Sequence, residues 1–120
     1  MSTSSVGSQA EQRAIQFLEA LGYTILGRNY RGARGEIDII CEDGPTICFV
    51  EVRYRRRSRY GLPIETIDQA KRRRIINTAR QWLAGNNFVE RECRFDILTM
   101  VGDDPPAYDK DTFGDEYRLK

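Results

Sequence analysis

Two acidic residues, Asp38 and Glu51, stand inside segments that otherwise consist mainly of β-branched and aromatic residues. Asp38 lies in "EIDII", Glu51 lies in "FVEVR", and an Asp-Gly-Pro break separates the two segments. The segments are typical of β-strands and the break is typical of a turn, so together they predict a hairpin. Isolated carboxylates are unusual in a strand interior, because burying an unpaired charge costs free energy. These two residues are therefore the first candidates for a functional site.

The predicted hairpin brings the two carboxylates together. Side chains alternate along a strand, so Asp38 shares a face with Glu36, and Glu51 shares one with Arg53. A hairpin that turns at residues 42–45 can place Asp38 beside Glu51, where two anions repel each other unless positive charge lies between them. A divalent cation resolves this repulsion, and carboxylate ligands suit Mg²⁺ or Mn²⁺. In the alternative arrangement each acid pairs with an arginine, and Arg53 is a candidate partner of Glu51.

The absence of histidine restricts the chemistry that this chain can perform. It excludes Ser-His and Cys-His catalysis, histidine-based nucleases and histidine-containing zinc sites. Acid–base or metal chemistry must therefore rest on carboxylates, lysine, tyrosine or a perturbed cysteine.

The net charge of +1 conceals an uneven distribution of charge. Residues 28–80 contain 13 Lys/Arg and 7 Asp/Glu, whereas the rest of the chain contains 6 and 11. This distribution predicts one basic face that binds nucleic acid, with a set of solvated arginines as the alternative. No recognition-helix or zinc-finger signature is present, so we expect such a face to read backbone and shape. The candidate phosphate contacts are Arg31, Arg34, Arg55, Arg56, Arg57, Arg59, Lys71, Arg72, Arg73 and Arg74.

The predicted elements follow one another in the order αβββαβ. This order indicates a central mixed sheet flanked by helices, an α/β or mixed α+β fold. Strands are expected over residues 23–26, 36–41, 47–54 and 93–101, with a basic loop over residues 28–35. We expect a flexible lead over residues 1–8, one domain over residues 9–101 and an acidic tail over residues 102–120.

Polar residues and glycines predict where the two helices begin and end. Ser8 and Glu11 fit a capping box at the start of the first helix, which we expect to stop at Gly22. Thr66 or Asp68 is expected to cap the second helix, which ends near Gly85.

The size and the cysteines favour a single cytoplasmic domain. The chain has 120 residues and a mass of 13.9 kDa, which suffices for one hydrophobic core. No apolar run approaches the ~20 residues of a membrane span, and the amino terminus lacks a signal-peptide pattern. Cys41, Cys48 and Cys93 lie in apolar segments without C-x-x-C spacing, so we interpret them as reduced core residues, with a disulfide or zinc role as the alternative.

Several stretches of the chain resemble the small bacterial YraN-type proteins, within the PD-(D/E)XK nuclease superfamily and close to archaeal Holliday-junction resolvases. The stretches that carry this resemblance are "AEQRAIQFLEALGYTILGRNYR", "GEIDIIC", "FVEVRYR", "YGLP", "KRRRIINTARQWL" and "CRFDIL". The resemblance implies a restriction-endonuclease-like fold for the nuclease-like domain of residues 9–101. It also implies an endonuclease in which water activated by Mg²⁺ or Mn²⁺ attacks a phosphodiester of DNA, with branched or structured DNA as a substrate.

The resemblance assigns roles to individual residues. Asp38 and Glu51 match the metal-binding acids, the backbone carbonyl of Val52 adds a ligand, and Glu11 matches an acid of the first helix that completes such sites. Arg53 occupies the place of the catalytic lysine of the motif. Arginine stays protonated, so it could stabilise charge or position water but could not accept a proton.

Two functions therefore remain open, with a structural protein that has no nucleic-acid partner as a third alternative. One is the metal-dependent endonuclease, and the other is a nucleic-acid-binding module that keeps the nuclease fold with little or no turnover. The retained acids favour the first and Arg53 favours the second. A resolvase needs two active sites on one junction, so a homodimer would suit that activity, although no residue fixes the oligomeric state.

Overall fold

The described part of the chain folds as a mixed sheet of five strands with one helix on each face. The computed structural model describes the backbone of residues 2–55 and 68–113, and the side chains of residues 9–55 and 68–113. The elements are α1 (Ser2–Ala20), β1 (Thr24–Arg31), β2 (Glu36–Asp43), β3 (Thr46–Arg55), α2 (Gln69–Gly85), β4 (Cys93–Val101) and β5 (Ala107–Phe113). This arrangement confirms the mixed α+β fold that the sequence predicts.

The strands lie in the order β1-β2-β3-β4-β5. The β3–β4 pair is parallel, and the other three pairs are antiparallel. A parallel pair needs a long crossover, which here contains α2, so α2 packs across the face of the sheet. The turn between β2 and β3 falls at Gly44, whose positive φ of 58° suits glycine and explains the Asp-Gly-Pro break.

The hydrophobic core has two layers, one on each face of the sheet. Phe49 and Phe95 pack against Trp82 and Leu83 of α2. On the other face, strand residues that include Val50 pack against α1. Side chains on β3 therefore alternate between the two layers, so Glu51 points to the α2 side together with Phe49.

The second helix begins and ends as expected. Asp68 is its N-cap, and its side chain accepts a hydrogen bond from the Lys71 backbone N–H at 2.9 Å. The alternative cap, Thr66, lies outside the described residues. Among residues 2–55 and 68–113, no helix is long and apolar enough to cross a bilayer.

Three expectations about the elements were wrong. The helix α1 begins at Ser2, so residues 2–8 belong to it instead of preceding it, and Ser8 is not its cap. Strand β1 extends to Arg31 and so includes the first half of the expected basic loop. Within the expected acidic tail, residues 107–113 form β5 on the edge of the sheet. The observed order is therefore αβββαββ.

Candidate active site

Asp38 and Glu51 lie side by side where β2 separates from β3. The antiparallel pairing of these strands ends at Ile39 and Val50, and the next positions in the same register are Asp38 and Glu51. Instead of continuing the ladder, Asp38 Oδ2 accepts the backbone N–H of Val52 at 2.8 Å. The structure thus brings the two acids together, as the hairpin register predicts.

Both acids line one open cleft between the sheet and α2. This α2 cleft has a volume of about 210 Å³ and is lined by Gly35, Glu36, Asp38, Glu51, Lys71, Arg74 and Ile75. The two carboxyls therefore lie on the same side of the sheet. The cleft combines three acids with two basic residues, a set that could hold a cation and an anionic group together.

Burial strongly perturbs the protonation of Asp38. Removal of the carboxyl from water raises its pKa from 3.8 to about 7, against the opposing effect of the Val52 N–H. The negative charges of Glu51, Glu11 and Glu36 contribute to the same rise. Asp38 thus carries both protonated and ionised populations near neutral pH, and a divalent cation that binds there must displace a proton.

A lysine of α2 neutralises Glu51. The Nζ atom of Lys71 lies 2.6 Å from Glu51 Oε2, within the first turn of the helix. The sequence-based interpretation proposed Arg53 as a partner and assigned Lys71 only to phosphate binding. One signal was available: Lys71 is the single lysine among the 13 basic residues of positions 28–80.

Arg53 and Val52 continue β3 beyond Glu51. Arg53 is half-buried and lies in register with Thr99 of β4. Val52 lies in register with Leu98, and its N–H is engaged by Asp38. Both residues thus follow Glu51 directly along β3.

Glu11 projects from α1 toward β1. Its Oε1 atom accepts a hydrogen bond from Asn29 Nδ2 at 3.0 Å and lies 3.9 Å from an Arg28 guanidinium nitrogen. Since α1 begins at Ser2, Glu11 does not complete a capping box. Its charge reaches Asp38 and raises the pKa of that residue, yet its carboxylate is bound to β1. Within the described part of the chain, no group of three or more His, Cys, Asp or Glu is placed to hold a metal ion.

The β1–β2 turn packs tightly on α2, and its Gly35 lines the cleft. A Cβ at Gly35 would lie 2.9 Å from Thr78 Oγ1 and 3.1 Å from the Arg74 carbonyl oxygen. Only glycine permits this approach. The backbone N–H of Ala33 donates to Gln81 Oε1 at 3.2 Å and adds a second contact between the turn and α2.

The predicted phosphate contacts are spread over three elements and one turn. Arg34 on the turn and Arg73 on α2 are exposed, and Arg74 is both exposed and part of the cleft. Arg31 lies 3.9 Å from Glu36, while Arg55 donates to the Tyr54 carbonyl oxygen. Arg72 on α2 is half-buried. Arg56, Arg57 and Arg59 lie outside the described residues.

Another acid outside the cleft, Asp96 on β4, is fully buried on the opposite face of the sheet. It accepts hydrogen bonds from Arg94 Nε at 3.1 Å, from the Tyr108 hydroxyl and from the Asp111 N–H at 2.9 Å. Asp96 was not among the residues predicted to be functional, although an acid among the apolar residues of "CRFDIL" is the same kind of signal as Asp38. Its saturated hydrogen bonding assigns it to stability, because it ties β5 to β4.

Comparison with known proteins gives one consistent family. Residues 10–100 match the family described as "Uncharacterised protein family UPF0102". A UPF0102 protein of Persephonella marina is 45% identical over 95 residues, which are 79% of this chain and 82% of the relative. One of Symbiobacterium thermophilum is 46% identical over 95 residues, covering 79% and 80%, respectively. One of Alcanivorax borkumensis is 41% identical over 107 residues, covering 88% and 86%.

Proposed function

The chain belongs to the UPF0102 family, and we propose that it is a metal-dependent endonuclease that acts on DNA, with branched or structured DNA as the substrate. The observation that carries this proposal is the placement of Asp38 and Glu51 in one cleft at the point where β2 leaves β3. Clustered acids that raise the pKa of a neighbour are costly for stability. Such a cost is typical of functional sites.

The donor set of this site fits Mg²⁺ or Mn²⁺. Asp38 and Glu51 would offer carboxylate oxygens to the ion, and the Val52 carbonyl would add a hard oxygen ligand. The Oδ2 atom of Asp38 is held by the Val52 N–H at 2.8 Å, which fixes the orientation of the carboxyl before any cation binds. A divalent ion held by these residues would supply the positive charge that a phosphodiester needs as negative charge builds up on its oxygens.

Residues around the acids would position the DNA backbone. Arg74 lines the cleft, and Arg73 and Arg34 are exposed near it on α2 and on the turn that packs against α2. Arg53 lies two positions beyond Glu51 and remains cationic, so its role is to stabilise charge on the phosphate. None of these side chains reads a base edge by a recognised motif, so binding follows backbone charge and shape.

The fold supports the same proposal by resemblance. The mixed sheet carries α1 and α2 on opposite faces, with an aspartate near the start of one hairpin strand and a glutamate on the next. This arrangement is similar to that of the PD-(D/E)XK superfamily. The expected match of Glu11 to a third acid of the site is the weakest part of this resemblance, since its carboxylate is bound to Asn29.

A second function is favoured by the ion pairs. Glu51 is paired with Lys71, and Glu11 is engaged by Asn29 and Arg28, so the acids are partly neutralised by the protein itself. A nucleic-acid-binding module with little or no turnover would need no more than this. The retained pair of Asp38 and Glu51 nevertheless favours the endonuclease, because a pure binding module gains nothing from anions in its cleft.

A cleavage assay separates these functions. Four-way junctions, flaps and single strands are incubated with Mg²⁺ or Mn²⁺ and with wild type, Asp38→Asn, Glu51→Gln or Arg53→Lys. The two amide variants nearly preserve shape but remove the charge that holds the cation, so the endonuclease predicts loss of cleavage in both. Arg53→Lys is expected to retain or increase cleavage.

The same assay contains the outcomes that contradict the proposal. Cleavage at the wild-type rate in both amide variants would place the activity elsewhere or in a contaminant. If all four proteins bind DNA and none cuts it, the binding module is the correct function.

A further inference from the structure

Lys71 is in direct contact with Glu51, one of the two acids of the pair. Its ammonium group lies 2.6 Å from Glu51 Oε2, and the Glu51 side chain is only 12% exposed, whereas that of Lys71 is 42% exposed. The charge of Lys71 therefore reaches from the open side of the cleft to a nearly buried carboxylate. A pair with one accessible end can be broken by a competing ion from solution.

The backbone fixes Lys71 at this place. The Asp68 side chain caps α2 by accepting the Lys71 N–H at 2.9 Å, so the first turn of the helix is anchored beneath the lysine. The Lys71 side chain is flexible beyond that anchor, with four methylene groups that allow the ammonium to move by several ångströms. The residue is thus held at its base and mobile at its charged end.

The position of Lys71 corresponds to that of a cation in the proposed site. Lys71, Asp38 and Glu51 line the same cleft, and Arg74 lines it one helical turn beyond Lys71. An ammonium and a divalent ion cannot both lie within bonding distance of Glu51 Oε2 without strong repulsion. Occupation of Glu51 Oε2 by one of them therefore displaces the other from that oxygen.

We propose that Lys71 occupies the cation position beside Glu51 while the cleft holds no divalent ion, and that it contacts a DNA phosphate once Glu51 is taken by such an ion. This proposal rests on the endonuclease function and adds a residue that the sequence motif lacks. It gives the site a lysine from α2 although the motif position on β3 holds Arg53. No proton transfer is assigned to Lys71.

Metal affinity tests the first half of the proposal. Mn²⁺ binding is measured by calorimetry on the full chain for wild type, Lys71→Met, Lys71→Arg, Glu51→Gln and Lys110→Met. Lys71→Met is expected to bind Mn²⁺ about tenfold more tightly, because the ion no longer displaces an ammonium group. Lys71→Arg keeps the charge and is expected to bind as wild type does. Lys110→Met removes an exposed lysine on β5 and is also expected to match wild type.

The salt dependence of DNA binding tests the second half. Junction affinity is measured at several salt concentrations with Ca²⁺ or with EDTA, and a denaturing gel afterwards verifies that the DNA is intact. The slope of log K against log salt is negative, and loss of one phosphate contact makes it shallower by about 0.9. Lys71→Met is expected to make the slope shallower by that amount in Ca²⁺ and to leave it unchanged in EDTA.

The results distinguish failure of this inference from failure of the proposed function. Equal or weaker Mn²⁺ binding by Lys71→Met, with Mn²⁺ binding that depends on Glu51, would overturn the role of Lys71 and leave the metal site standing. If Lys71→Met made the slope of log K against log salt shallower by the same amount in Ca²⁺ and in EDTA, that result would also overturn the role of Lys71. Mn²⁺ binding that Glu51→Gln does not weaken would overturn the proposed metal site and this inference together.

Discussion

Asp38 accepts the backbone N–H of Val52 at the position where the β2–β3 ladder ends. A side chain thus replaces the main-chain partner that a continuing ladder would supply. The hydrogen bond keeps the Asp38 carboxyl oriented beside Glu51 and compensates part of the cost of burying it. Burial and the neighbouring acids nevertheless dominate, since the pKa of Asp38 is raised to about 7.

This raised pKa predicts that ionised Asp38 destabilises the metal-free protein. The folded-state pKa of about 7 exceeds the ordinary value of 3.8, so the folded state binds more protons than the unfolded state between these values. The contribution of Asp38 to stability is present below about pH 4 and is lost as the pH rises through about 7. Asp38→Asn should not show this loss, because its amide does not ionise. The amide oxygen can still accept the Val52 N–H, so the local structure is kept.

Urea unfolding in EDTA at pH 5 and pH 8 measures the effect. From pH 5 to pH 8, the free energy of unfolding of Asp38→Asn is expected to rise by about 2 kcal/mol relative to that of wild type. Asp109→Asn, which removes an exposed carboxyl on β5, serves as the control and should follow wild type. Identical pH dependence in wild type and Asp38→Asn would show that Asp38 does not titrate in this range.

Gly35 predicts a large cost for a single methyl group. In Gly35→Ala the new Cβ would lie 2.9 Å from Thr78 Oγ1 and 3.1 Å from the Arg74 carbonyl oxygen, so the turn must move away from α2. We expect a loss of about 1–3 kcal/mol of unfolding free energy. Gly85→Ala is the matched control, because nothing lies within 4 Å of the place that its new Cβ would take. Equal stability of the two variants would mean that the turn is not pressed against the helix.

The hairpin and its acids could be predicted because their signals are local. Alternation, a turn sequence and two isolated carboxylates lie within residues 36–55, and the register follows from the turn. The partner of Glu51 could not be predicted in this way. Lys71 lies 20 positions along the chain and meets Glu51 only because α2 packs across the sheet.

Strand β5 was missed because its own residues carry little signal. The sequence "AYDKDTF" is mainly exposed and polar, and only Phe113 is buried. Its position depends on partners elsewhere in the chain, namely the Tyr108 hydroxyl and the Asp111 N–H that donate to Asp96. Propensity cannot reveal an edge strand that is held by such distant contacts.

Asp96 predicts that β5 depends on one buried carboxylate. Asp96→Asn removes the negative charge that pairs with Arg94 at 3.1 Å. Of the ion pairs that Arg94 makes with Asp43 and Asp96, only the one with Asp43, at 2.9 Å, then remains. We expect a loss of about 3–5 kcal/mol, as for a broken buried ion pair. Tyr108→Phe removes one hydroxyl donor and is expected to cost about 1–2 kcal/mol.

Urea unfolding with Tyr54→Phe as the control completes this test. Tyr54 lies on β3 and is 37% exposed, so removal of its hydroxyl should change stability by less than about 0.5 kcal/mol. A loss in Asp96→Asn no larger than that in Tyr54→Phe would mean that the buried network contributes nothing to holding β5.

The basic residues of α2 predict the affinity for DNA. Arg74 lines the cleft and Arg73 is exposed beside it, so Arg73→Glu and Arg74→Glu should each weaken binding of every DNA sequence alike. Each variant should also make the negative slope of log K against log salt shallower by about 0.9 or more. Lys110→Glu changes the net charge by the same amount on the exposed face of β5, so it separates local contact from overall charge. Binding assays at several salt concentrations would contradict the basic face if Lys110→Glu weakened binding as much as Arg74→Glu, or if wild type bound no DNA at low salt.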